Sequence, residues 1–119
     1  MGNFNFSYGA TTDDLFIYDQ RSRSKGSVEI GNIILDFSAK KEIVAIQLLG
    51  ASKLINDMVS DAHINMKQFL SDLTDCNLDI NTDNNLTTIK LYLTTGSKEI
   101  TPILSMPIIG QRSPAVGSV

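Results

Sequence analysis

The chain has 119 residues, 10 Lys and Arg against 13 Asp and Glu, and a formal net charge of −3. That length gives one domain around one core, and the negative balance excludes a whole-surface cationic field that would gather nucleic acid or anionic lipid. One Cys and one His exclude an internal disulfide and a Cys/His zinc cluster within a single chain, so no cofactor is expected.

Residues 1 to 14 have neither a basic n-region nor a continuous apolar h-region, and no stretch approaches the roughly 18 apolar residues of a membrane span. A cytoplasmic protein with no membrane partner is expected. Phe4, Phe6 and Tyr8 alternate with Asn3, Asn5 and Ser7, a period of two that predicts a first strand with three rings on one face. Ala10 to Asp14 is turn chemistry, and Leu15 to Tyr18 returns as a second strand that closes a hairpin. Arg21 to Ser27 is small, polar and basic throughout and reads as a loop.

Val28 and Ile30, then Ile33, Leu35 and Phe37, describe one further strand whose parity switches at Gly31-Asn32, where a bulge is expected. Ser38 to Glu42 turns the chain into a strand from Ile43 to Leu49. There Val44, Ile46 and Leu48 face one way, and Ile43, Ala45, Gln47 and Leu49 the other. A strand apolar on both faces belongs in the middle of a sheet or against another subunit. Ile34, Val44, Ile46 and Leu48 are therefore the expected interface of a homodimer, or of a complex with another protein.

Ser52 is the expected N-cap of a short helix through Met58, and Asn65 with Gln68 fits a capping box ahead of the stripe Met66, Phe69, Leu70 and Leu73. One kinked helix from Ser52 to Asp75 fits the same residues. Cys76, Leu78 and Ile80 then alternate with polar residues, Asp83-Asn84-Asn85 turns the chain, and Ile89, Leu91 and Leu93 alternate back, giving strands with one wet face. Ile100 to Ile108 is expected at a sheet edge, because Pro102 and Pro107 have no N–H for a ladder. The expected fold is α+β in one domain over 1–109: an antiparallel meander of about four strands, one or two short helical segments, then a three-strand antiparallel meander over 76–108, with 110–119 a flexible tail.

Tyr18-Asp19, Val28 to Asp36 and Ile43 to Ser52 together resemble the small prokaryotic domain-of-unknown-function 2283 family over residues 4–55. Ala45 and Gln47 stand where that family usually has Gly and Glu, and Ser38 to Glu42 replaces its acidic, Gly-containing turn. The resemblance implies strands followed by a helix and a cytosolic setting, and no catalysis.

Asp13, Asp14 and Asp19, with Glu29 or Asp36, are oxygen ligands of the kind a divalent cation takes, although the register of a calcium loop is missing and turn chemistry explains the same residues. Asp36 is the one acid inside a strongly apolar strand. His63 has no Ser, Cys or acid at a catalytic spacing, and Cys76 reads as a small buried hydrophobe. Arg21, Arg23 and Lys25 in one loop and Lys40 and Lys41 in another, beside the rings of Phe16 or Tyr18, have the composition of a single-strand-binding surface. There is no P-loop and no G-x-S-x-G. The leading expectation is a non-catalytic interaction or structural module acting as a homo-oligomer. A nucleic-acid accessory protein using the basic loops comes second, and an enzyme or divalent-metal binder using the acidic hairpin third.

Overall fold

In the computed structural model, which describes residues 4–59, 64–83 and 85–107, the aromatic and polar alternation of the first residues becomes β1 (Asn5–Gly9). It pairs antiparallel with β2 (Asp14–Tyr18), Phe6 opposite Ile17 and Tyr8 opposite Leu15. The single strand expected over Val28 to Phe37 is instead a hairpin of β3 (Gly26–Ile30) and β4 (Ile33–Phe37), with Ile30 opposite Ile33. A parity switch fits one bulged residue and a two-residue turn equally well. Gly31 decides between them: its φ of 57° is the positive value that type II′ hairpin turns require at their first central position.

The first sheet therefore has five strands. With β5 (Ile43–Leu49) their order is β1-β2-β5-β4-β3, so β2 lies beside β5 and not beside β3. β2 to β5 form a Greek key, in which residues 19–25 carry the chain from one side of the sheet to its far edge. Leu15 faces Leu48, and Ile17 and Leu35 flank Ile46. A bulge does occur, but between β4 and β5: Asp36 faces Ala45 and Phe37 faces Ile43, leaving Val44 as the extra residue.

Two separate helices follow, α1 (Ala51–Met58) and α2 (Met66–Ser71). Val59, with extended backbone, ends the first, and the Asn65 side chain accepts the N–H of Gln68 to cap the second. The second sheet is built around β7 (Leu86–Thr94). β6 (Asp75–Asp83) pairs with it along one side, and β8 (Glu99–Ile100) and β9 (Ile103–Pro107) along the other. Pro102 interrupts that edge without orphaning β7, because its carbonyl accepts the N–H of Leu91 at 2.9 Å. The two sheets touch where Phe4 N donates to Cys76 O.

One hydrophobic cluster draws on every layer: Leu15, Ile17, Leu35, Ile46 and Leu48 from the first sheet, Cys76, Leu78, Ile89, Leu91 and Leu93 from the second, and Ile55, Phe69 and Leu70 from the helices. This corrects the expected interface. Ile46 and Leu48 are both 0 % exposed and sit on the core side, so neither is presented to a partner. The bulge puts Ile43, not Val44, on that side: Ile43 packs on the cluster, whereas Val44 is buried outside it. Position 63 and the tail 110–119 lie outside the described residues.

Candidate functional site

The acidic hairpin is a fastening. Gly50, at φ 63°, occupies the N-cap position of α1 and has no side chain with which to cap it. The expected cap, Ser52, sits inside the helix, and the acceptor comes from the β1–β2 turn. Both Asp13 carboxylate oxygens take the Ser52 N–H, at 3.1 and 3.2 Å, the Ser52 Oγ donates to Oδ2 at 2.7 Å, and the Asp13 carbonyl takes the Ala51 N–H at 2.7 Å. Tyr8 Oη donates to Asp13 Oδ1 at 2.5 Å. Burial alone would raise the Asp13 carboxyl, but the hydrogen bonds from Tyr8 and Ser52 outweigh it and hold the group below the ordinary carboxylate range. The Tyr8 phenol is pushed up by its burial and by the neighbouring carboxylate.

Asp19 is occupied at the opposite end of β2. It accepts the Arg21 N–H at 3.0 Å, Arg21 Nε at 3.3 Å and Ser22 Oγ at 3.1 Å, and the Arg21 backbone bond is the main reason its carboxyl is held low. The length of β2, roughly 3.3 Å per residue, therefore separates Asp13 and Asp14 from Asp19, and the three do not form one cation site. Asp36 accepts Ser27 Oγ. Among the described residues, no group of three or more His, Cys, Asp and Glu side chains is arranged to hold a metal ion. Cys76 is fully buried, and burial pushes its thiol up to about 12.

The basic residues do converge. The Greek-key order brings loop 19–25 and turn 38–42 to one end of the first sheet, where Lys25 N donates to Phe37 O at 2.7 Å. Ser38 Oγ accepts the N–H groups of Lys40 and Glu42, and Lys41 closes the turn in the left-handed region at φ 67°. Between Lys25 and Lys41 lies a cleft of ≈ 400 Å³ with Val28, Phe37 and Ala39 on its walls. A second cleft of ≈ 450 Å³ shares Phe37 and Lys41 and runs on past Glu42 to Thr82 of the second sheet. Arg21 pairs with Asp19 at 3.3 Å, whereas Arg23, Lys25, Lys40 and Lys41 enter no ion pair among the described residues.

A third feature has only a partial signal in the sequence. The face of the first sheet turned away from the core carries Phe16 and Tyr18, stacked with centroids 4.8 Å apart and planes 22° from parallel. Tyr18 faces Ala45, which faces Asp36, and Phe16 faces Gln47, which faces Ile34. Phe16, Tyr18, Ile34 and Leu49 are half-buried and Ala45 is buried, and none of them belongs to the hydrophobic cluster. Ile34 of the expected interface is on this face. Phe16 and Tyr18 were legible as rings, but their place beside Ala45 and Gln47 on this face needed the β2–β5 pairing.

The chain is 33% identical over 93 residues to the uncharacterized protein MJ0789 of Methanocaldococcus jannaschii, a match that covers 78% of this chain and 76% of that protein. No family model and no solved structure matches the chain.

Proposed function

Starting from the fact that this chain belongs to the family of the uncharacterized archaeal protein MJ0789, we propose that it is a non-catalytic interaction module of the prokaryotic cytoplasm that works as a homodimer. The observation that carries this reading is the face of the first sheet opposite the core, with the Phe16–Tyr18 stack beside Ile34, Ala45 and Leu49. Those side chains lie outside the chain's own hydrophobic cluster, and a twofold dimer would cover the patch with the same patch of a second copy. The strand residues of this face combine the aromatic pair, Ile34, Ala45 and Leu49 with the polar Asp14, Glu29, Asp36 and Gln47, the mixture of apolar and polar surface that non-obligate interfaces have. The resemblance of residues 4–55 to the domain-of-unknown-function 2283 family belongs to the same proposal, and the run of strands from β1 into α1 supports it.

Light scattering after size-exclusion chromatography tests the reading. A dimer at low and high salt is expected, and Phe16→Asp or Ile34→Asp should yield a folded monomer. A wild-type chain that stays monomeric at high concentration sinks the proposal. Ile46→Asp is the contrasting variant: a carboxylate on a fully buried site disrupts the fold itself.

A further inference from the structure

Four cations with no acid pairing among the described residues, Arg23, Lys25, Lys40 and Lys41, stand on two loops that the fold brings to one end of the first sheet. Holding like charges together costs Coulomb energy that an anion would offset. The chain's net charge is −3, so this end is a local exception to the average field.

The shape of the site narrows the anion. The cleft between Lys25 and Lys41 has apolar walls from Val28, Phe37 and Ala39, so it suits a ligand with a planar apolar part next to its charge. The second cleft adjoins it, with Phe37 and Lys41 lining both, and the two volumes together exceed what one small anion fills. Asp19 and Glu42 line that second cleft. Asp19 is engaged with Arg21 and Ser22, and the Glu42 carboxylate is placed to accept the exocyclic amino group of a base.

We infer that this end of the first sheet binds single-stranded nucleic acid, with a backbone phosphate between Lys25 and Lys41, one base against Val28, Phe37 and Ala39, and the next base in the cleft lined by Glu42. Arg23 and Lys40 flank the path and add to the field. Unpaired bases are required, because a duplex keeps its bases stacked on one another and their faces away from Val28, Phe37 and Ala39. The cleft between Lys25 and Lys41 has no lining residue in common with the proposed dimer face, so variants of one leave the side chains of the other in place and either reading can fail alone.

Fluorescence anisotropy with labelled oligocytidylate and oligodeoxycytidylate of about 12 nucleotides, whose bases carry the exocyclic amino group, starting at about 20 mM salt, tests the inference. Binding is expected to weaken with salt at a log–log slope of about −0.7 for each phosphate neutralised, hence about −0.7 from the phosphate between Lys25 and Lys41, and steeper where Arg23 and Lys40 neutralise others. The double variant Lys25→Gln, Lys41→Gln should lose about tenfold in affinity and flatten the slope. Lys53→Gln, Lys67→Gln, which removes equal charge from the two helices, should bind like wild type. Circular dichroism melting of both variants establishes that they are folded, and Lys25→Glu alone provides a variant that leaves the strained Lys41 turn intact. Three results would each overturn the inference: no binding at low salt, equal loss in the helix variant, or duplex RNA bound as tightly as the single strand.

Discussion

Asp13 and Ser52, 39 residues apart in sequence, meet in three hydrogen bonds that fasten the β1–β2 turn to the first turn of α1. Because Gly50 brings no cap of its own, the helix start and the hairpin turn are stabilised by the same carboxylate. Tyr8 adds a fourth bond from the strand that precedes the turn.

Replacing Asp13 with Ala should therefore cost more than the ordinary loss of a cap, which is about 1 kcal/mol. The Ser52 N–H and the Tyr8 hydroxyl both lose their acceptor, and a total near 2 kcal/mol is expected. Asp13→Asn keeps an acceptor and should cost less. Urea unfolding of the three proteins at neutral pH checks the order, and a change under ~0.5 kcal/mol for Asp13→Ala would remove the fastening role.

Acid should reveal the same group. The Asp13 carboxyl is held below its ordinary value in the folded protein, so its stabilisation is fully present above the unfolded value of about 3.9 and is lost as pH falls through the lower folded value. Asp19 contributes with the same sign. The test is urea unfolding from neutral pH down through that window. Wild type should lose stability more steeply than Asp13→Asn, and parallel curves would contradict the assignment.

Gly31 and Gly26 make a matched pair at the two ends of β3. A Cβ would meet nothing within 4 Å at either position, but only Gly31 holds a positive φ, of 57°. Gly31→Ala should cost roughly 1 kcal/mol from backbone strain alone, whereas Gly26→Ala should be neutral or stabilising by up to ~1 kcal/mol through the unfolded chain. Thermal melts compared side by side would decide it, and equal shifts would mean that the turn adapts.

Cys76 offers a probe of the shared core. With the thiol buried and its pKa pushed up to about 12, almost no thiolate exists at neutral pH. Labelling by a thiol reagent should be slow in native buffer and fast in urea, and it should follow global unfolding because Cys76 sits in the cluster common to both sheets. Rapid labelling of the folded protein would show that the β6 edge opens locally.

Side-chain alternation is a local property of extended backbone, and for that reason β1, β2, β5, β6 and β7 were legible from Phe6 and Tyr8, Leu15 and Ile17, Ile46 and Leu48, Leu78 and Ile80, and Ile89 to Leu93. The Asn65 to Gln68 cap was local too, and the structure keeps it. The α+β order of strands, helices and strands follows from such signals. Partner choice does not. β2 pairs with β5, across the whole β3–β4 hairpin, and strands with the same apolar alternation are interchangeable until the chain closes its loops. The Gly31-Asn32 parity switch fitted a bulge and a turn alike, and the core side of β5 depended on one extra residue, Val44, between Ile43, which faces Phe37, and Ala45, which faces Asp36. The basic loops and the carboxylates were visible as residue types. That Lys25 and Lys41 share a cleft, and that Asp13 reaches Ser52 while Asp19 holds Arg21, are facts of three-dimensional proximity between distant segments, which only tertiary packing decides.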